Sequence, residues 1–322
     1  MKVAVIGCGH WGKNLVRNFA ELEALSAVSD ANMDLAKTFS DQYHVPALSY
    51  EEILSSDCDG VVIAAPAPLH ADLAVKGFKS GKHVYVEKPL AMTLEDADKI
   101  IEESKNADRH LMVGHLLQYH PIFVALRQKV ENGELGKLRY LYSNRLSLGK
   151  IRSEEDVVWS FAPHDISMLL SLANDKVSSV FCKGIDVLQE NIVDIATIHI
   201  EFLGGIKAHI SCSWLHPLKE QKLIAIGDKG MAIFDDTLDW NHKLAIYSHT
   251  IDSRQVPPIP NKAEAIFVDV PEGEPLREEC LHFLSLMAGN AVPRTDGSEG
   301  RAVLSVLSSA SKSMNIGGAV DA

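Results

Sequence analysis

The first thirty residues limit most strongly what this chain can fold into. Lys2-Val3-Ala4-Val5-Ile6 is a β-type run that enters Gly7-Cys8-Gly9-His10-Trp11-Gly12, a G-x-G-x-x-G sequence. A helical stretch from Asn14 to Leu22 follows, then a second apolar run ending at Asp30. Strand, glycine turn, helix, strand and acid, in that order, describe a dinucleotide-binding unit. Gly7 permits the tight turn, Gly9 leaves the backbone open to a pyrophosphate, and Gly12 lets the helix approach the strand. The helix N-terminus offers free N–H groups and the positive end of its dipole to phosphates. An acid at position 30 accepts hydrogen bonds from ribose hydroxyls and repels a 2′-phosphate, which favours NAD over NADP. His10 and Trp11, inside the turn, join the glycines and Asp30 as cofactor-side residues.

The alternation continues through about residue 118. Strands are expected at Val3–Ile6, Leu25–Ser29, Val61–Ala64, His83–Val86 and Leu111–Val113. Helices are expected near Trp11–Leu22, Met33–Tyr43, Leu69–Ser80 and Leu94–Asn106, the last opened by a Thr93/Asp96 capping box. This is an α/β pattern, a parallel sheet with helices on both faces. After Gly114 the pattern changes. Pro121–Asn132 and Ile166–Leu172 are helical, while β-type runs cover Leu138–Asn144, Val177–Lys183, Ile192–Phe202, Gly205–Ser213, Lys222–Gly227 and Met231–Asp235. Several succeed one another without helices, so an open, mostly antiparallel sheet is expected, closed by helices at Glu278–Ala288 and Ser298–Asn315. Thr250–Lys262, with three prolines, is expected as a loop. The expected division is a Rossmann domain over 1–118 and an α+β substrate and oligomerisation domain over 119–322.

Composition narrows the function. A length of 322 residues suits about two domains. A net charge of −12 argues against a nucleic-acid partner, which needs excess Lys and Arg. No apolar run is long enough to span a bilayer, and the first strand begins at Lys2, leaving no secretory leader. The five cysteines are scattered without C-x-x-C spacing, which points to reduced thiols in the cytoplasm and to no zinc site.

Three further stretches can carry chemistry. Ala64-Ala65-Pro66-Ala67-Pro68-Leu69-His70 follows an expected strand, where ligands bind in open α/β sheets, although by itself it is equally a stiff loop with a surface histidine. Glu87-Lys88-Pro89 follows another; Lys88 there can stabilise alkoxide character on a reacting oxygen, or simply form a charged turn. Pro163-His164-Asp165 precedes a helical run. Neutral imidazole suits removal of a hydroxyl proton as hydride leaves carbon; the competing role is a helix start, with Asp165 stabilising the first turn.

Together the glycine motif, Glu87-Lys88-Pro89 and the second-domain His164 resemble the Gfo/Idh/MocA family of nicotinamide-dependent sugar and polyol oxidoreductases. The resemblance implies that Lys88 and His164 are the catalytic pair beside the nicotinamide. It also implies that Ala65, Pro66, His70 and Glu87 lie on the cofactor side. Two stretches, Gly114–Pro121 and Asn144–Asp165, resemble bacterial nucleotide-sugar 3-dehydrogenases, implying C3 oxidation of a UDP-N-acetyl hexosamine. Gln118, Tyr119 and Trp159 then join Lys88 and His164 as substrate-side residues. Arg145, Lys150 and Arg152, expected together on a loop, suit the diphosphate or form a solvated basic loop. Where the family often has Asp four residues before the histidine, this chain has Ser160. The alternatives are a dehydrogenase of a free polyol or aldose, a 3-keto sugar reductase, and a non-catalytic dinucleotide-binding sensor. The resemblance further implies a homodimer or homotetramer and a metabolic link to a sugar aminotransferase.

Overall fold

The computed structural model describes residues 1–252 and 254–321. It divides into two compact units, Met1–Tyr119 with Gly273–Leu304, and His120–Glu272 with Ser305–Ala322.

In the first unit β1 (Val3–Ile6), α1 (Gly12–Glu21), β2 (Leu25–Ser29), α2 (Met33–Tyr43), α3 (Tyr50–Leu54), β3 (Gly60–Ile63), α4 (His70–Lys79), β4 (His83–Glu87), α5 (Leu94–Asn106) and β5 (Leu111–Gly114) follow one another. The strands form one parallel sheet in the order β2-β1-β3-β4-β5. Their runs are buried except at Ser26 and His83, because helices cover both faces. Local chemistry sets the helix starts. Asn32 accepts from the Asp34 and Leu35 amides at α2, and Ser49 with Glu52 makes a full capping box at α3. Thr93 caps α5 as expected, with the Asp96 carboxylate accepting from the Thr93 hydroxyl. The chain turns outward on either side of β1, so the carboxyl ends of β1, β3 and β4 form the edge where such sheets bind ligands.

The second unit runs α6 (Pro121–Glu131), β6 (Leu138–Leu148), α7 (Val157–Ala173), β7 (Val177–Ile185), β8 (Ile195–Phe202), β9 (Lys207–Ser213), β10 (Leu215–Gly227), β11 (Met231–Asp235), β12 (Leu244–Tyr247), β13 (Thr250–Asp252), β14 (Ile259–Asn261) and β15 (Ile266–Phe267). The chain then returns to the first unit through α8 (Pro275–Met287); α9 (Gly297–Ile316) carries the division between units, and β16 (Val320–Asp321) ends the description. Nine strands pair in the order β15-β12-β11-β10-β6-β9-β8-β7-β16, antiparallel except for β6 beside β9. Along β8 the buried Ala196, Ile198, Ile200 and Phe202 alternate with outward Ile195, His199 and Glu201. The alternation puts one sheet face in the core, against α7.

Three expectations are corrected. The first unit runs continuously to Tyr119, close to the expected boundary, but does not end there: Gly273–Leu304, which carries α8, also belongs to it. Leu276, Cys280, Phe283, Leu286 and Met287 share its core with Val16, Phe19 and Tyr85, a contact across most of the chain length. The stretch 250–262 is not all loop: β13 and β14 pair as a two-stranded ribbon, with Ser253 outside the described residues. The third concerns α7. It starts nine residues before Ile166, capped by Asp156 on the Trp159 amide, and holds Pro163 inside it. Pro163 lacks the N–H that would bond the Trp159 carbonyl, which is why the sequence breaks the pattern there.

Candidate active site

The glycine turn has the geometry its residues foretold. Gly7 has φ +93°, and a Cβ there would lie 2.7 Å from the Ala64 carbonyl. A Cβ on Gly12 would stand 1.9 Å from the Gly7 carbonyl oxygen, so only glycine admits the start of α1. Around Gly9 nothing lies within 4 Å of an added Cβ, which leaves its backbone open to a bulky anion. Asp30 closes the turn: one carboxylate oxygen accepts from the Cys8 amide at 2.7 Å, the other from the Asn32 amide at 2.8 Å. His10 is exposed, and the half-exposed Trp11 donates its indole N–H to Glu87 Oε1 at 2.5 Å.

Beyond β3 and β4 the two loops are braced together. His70 is 1% exposed; its Nδ1 lies 2.8 Å from the Pro89 carbonyl and its Nε2 2.9 Å from the Ala65 carbonyl. Burial lowers its pKa, aided by the Lys88 charge and opposed by those two carbonyls. His70 therefore holds Ala65-Pro66 against the cis Lys88–Pro89 turn, and is not the surface histidine that the loop reading allowed. Glu87 is likewise a bracing group. Its carboxylate accepts from Trp11, from the Tyr85 hydroxyl at 3.1 Å and from the Lys88 amide at 3.1 Å. Lys88 itself is half-buried at the carboxyl end of β4.

In the second unit His164 lies within α7, one turn after Ser160. Asp165 does not serve a first helical turn. It is 1% exposed and accepts from the Ser143 hydroxyl and from both Nε and Nη2 of Arg145. This corrects the basic cluster. Arg145 is on β6 rather than a loop, and its guanidinium faces the buried Asp165 in a bidentate pair. Lys150 follows β6 exposed to solvent, and Arg152 pairs with Glu155 at 3.0 Å. Trp159 donates its indole N–H to Ser311 at 2.9 Å.

Gln118 and Tyr119, expected on the substrate side, are both buried. The Tyr119 hydroxyl bonds Thr295 at 2.9 Å, and its ring packs against His282 and under Arg294, whose guanidinium carbon is 4.9 Å from the ring centre. Sequence reading missed the partners that do this work: Tyr85, Thr295, Glu279, and His115 with Glu299, 2.5 Å apart. For Glu279 a signal existed. It falls on the same helix face as Leu276 and Phe283, a lone acid in the apolar stripe of α8.

Among the described residues no group of three or more His, Cys, Asp or Glu side chains is placed to hold a metal ion. No helix among them is long and apolar enough to cross a membrane.

Fold and turn together define a dinucleotide-binding oxidoreductase with an appended open-sheet domain. Residues 1–115 match the oxidoreductase family model with the NAD-binding Rossmann fold, and residues 123–233 match the GFO/IDH/MocA C-terminal domain. The chain belongs to the Gfo/Idh/MocA oxidoreductase family, and its first unit is an NAD-binding domain. It is 28% identical to the UDP-N-acetylglucosamine 3-dehydrogenase of Acidithiobacillus ferrooxidans over 94% of each chain. A solved structure of that enzyme superposes with a TM-score of 0.86, covering 98% of both chains at 26% identity. The myo-inositol 2-dehydrogenase of Thermotoga maritima is also 28% identical, over 73% of this chain and 75% of that one.

Proposed function

We propose that this chain oxidises the C3 hydroxyl of a UDP-linked N-acetyl hexosamine to the 3-keto sugar, using NAD. The observation that carries this reading is the similarity to the Acidithiobacillus enzyme, which runs through both units at 94% of each chain. The protein's own groups fit the cofactor. The open backbone at Gly9 and the positive dipole end of α1 suit a pyrophosphate, and Asp30 suits a ribose diol. When bound, NAD supplies the hydride acceptor. The remaining chemistry is proton handling. Lys88 donates a hydrogen bond to the reacting oxygen and so stabilises its alkoxide character. His164 takes the hydroxyl proton as a general base, with Ser160 in place of an acid one turn earlier.

A second reading, oxidation of a free polyol, is favoured by one observation. Arg145 is committed to Asp165 and Arg152 pairs with Glu155, so two of the three cations expected for a diphosphate are already paired. Absorbance of NADH, followed with a panel of UDP-sugars and free polyols, separates the two. Turnover with UDP-N-acetylglucosamine alone supports the first, and turnover with a polyol alone supports the second. Tight NAD binding with no turnover on any of them supports a sensor. His164→Ala should retain NAD binding and lose ~100-fold or more in turnover, within the usual worth of a general base; unchanged turnover removes His164 from the role.

The same reading places the enzyme in the cytoplasm, ahead of a transamination that would consume the keto product. It also pairs two or four copies through the outward face of the nine-stranded sheet, where Phe181, Tyr142 and His209 lie half-buried. Light scattering that returns the mass of one chain, 35.3 kDa, would refute the assembly.

A further inference from the structure

One buried titratable group of the first unit has no part in the chemistry above. Glu279, on α8, is 0% exposed, and neither carboxyl oxygen has a hydrogen-bond partner. It faces the Tyr85 hydroxyl and the Glu87 carboxylate of β4. The neighbourhood is built around this meeting. Gly114, which pairs in register with Glu87, has no side chain; a Cβ there would come within 2.7 Å of the Tyr85 hydroxyl and 2.9 Å of the Glu87 carboxyl carbon. Phe283, one turn after Glu279, sets its ring edge-on to Tyr85 at 5.8 Å.

Two carboxyl groups either side of one hydroxyl in a dry core do not both ionise. The donors decide which one does. Trp11, Tyr85 and the Lys88 amide all donate to Glu87, whereas among the described residues no donor meets either Glu279 oxygen in full hydrogen-bond geometry, the Tyr85 hydroxyl being the one that lies against it. We infer that Glu279 is a neutral acid which donates to the Tyr85 hydroxyl, and that this holds Tyr85 and Glu87 in the orientation that fastens Trp11 of the glycine turn. Glu279 is thus a positioning residue for NAD binding, acting through Tyr85 and Glu87. The chain of donors runs Glu279 O–H to Tyr85 O–H to Glu87 Oε1, which also accepts from Trp11. Other titratable groups around Glu279 are Cys280 beside it on α8, Glu299 on α9 and Tyr119 after β5; Lys88 neighbours Glu87. Burial pushes the Glu279 carboxyl well above the usual range and the Glu87 and Glu299 charges push the same way, outweighing the Tyr85 hydroxyl, which opposes them. Ionisation at alkaline pH would put a second negative charge beside Glu87 and loosen the turn.

The test compares Glu279→Gln, which keeps a neutral donor, with Glu279→Leu, which does not. NAD affinity is measured by calorimetry from pH 6 to 9, and the carboxylic C=O stretch of the cofactor-free protein by infrared difference spectroscopy. Wild type should show a protonated carboxyl band at pH 7 that is missing from both variants. Glu279→Gln should bind NAD within about twofold of wild type at pH 7, and any alkaline weakening seen in wild type should be absent from it. Glu279→Leu should bind on the order of tenfold more weakly, the value of one lost hydrogen bond. Gly114→Ala, which presses on the same two side chains, should weaken binding similarly. The inference is overturned by any of three results: no protonated band assignable to Glu279, equal NAD affinity in Glu279→Leu, or the same alkaline loss in Glu279→Gln. A variant that lowers thermal stability without moving NAD affinity would likewise reduce Glu279 to a packing residue.

Discussion

Replacing Arg145 by Met tests whether this residue is a substrate cation or the partner of a buried acid. Asp165 is 1% exposed and the Arg145 side chain 12%, so both charges have largely left water. The carboxylate has three donors: Nε and Nη2 of Arg145, the latter at 3.3 Å, and the Ser143 hydroxyl. Arg145→Met removes the first two and leaves the negative charge with one hydroxyl. Removing one partner of a buried pair costs about 3–5 kcal/mol, because the other charge stays desolvated and uncompensated. Asp165→Leu added to Arg145→Met removes that charge, so the double variant should recover most of the loss, giving a coupling of ~2 kcal/mol or more. Urea unfolding followed by tryptophan fluorescence is the assay. Trp159, Trp214 and Trp240 belong to the second unit and only Trp11 to the first, so the signal reports mainly the unit in question. A loss below ~1 kcal/mol in Arg145→Met, or a double variant as unstable as the sum of its singles, would refute the reasoning. A raised KM for a nucleotide sugar with unchanged stability would return Arg145 to the substrate.

Gly12→Ala should abolish measurable NAD binding in calorimetry, since its Cβ would stand 1.9 Å from a backbone oxygen that cannot move without opening the turn. Asp30→Ala should narrow the preference for NAD over NADP, read as the ratio of their dissociation constants. Affinity for both should fall as well, because the Cys8 amide loses its acceptor. Asp236 should stabilise the second unit at mild but not at strong acid. Burial alone would raise its carboxyl, but His120 and Lys243 outweigh that and bring it down to about 2, below the unfolded value. Its contribution is therefore complete above about pH 4 and is lost as pH falls toward 2. Asp236→Asn should cost up to ~2 kcal/mol at pH 6 and progressively less below pH 4, checked by unfolding at each pH.

The dinucleotide half was legible because its signals are local. A glycine with positive φ, an N-cap, an acid at a strand end and continuous Val/Ile runs each act within a few residues, and β1, β2 and α2 fall on their expected bounds. In the second unit the β-type runs were legible as strands, but not their extents. β6 continues past Asn144 to Leu148 by pairing with β10, and Arg145 within that extension meets the buried Asp165. The helix carrying His164 was cut short at Pro163, because a proline breaks local pattern even where tertiary packing carries the helix through it.

What the sequence determined by itself was the class of each half and the cofactor: an NAD-binding turn needs only backbone freedom at Gly7 and Gly12 and an acid near position 30, and those are written in consecutive residues. The tertiary structure alone decided which polar groups are available. The chain marks Arg145, Tyr119, Gln118 and Glu87 as candidate site residues and gives no role to Glu279, but it does not show that they are buried or partly buried. Their burial, and the partners that burial requires, come from elements as distant as β4 and α8, and a group out of water must find a counter-charge, a donor or a proton wherever the fold brings one.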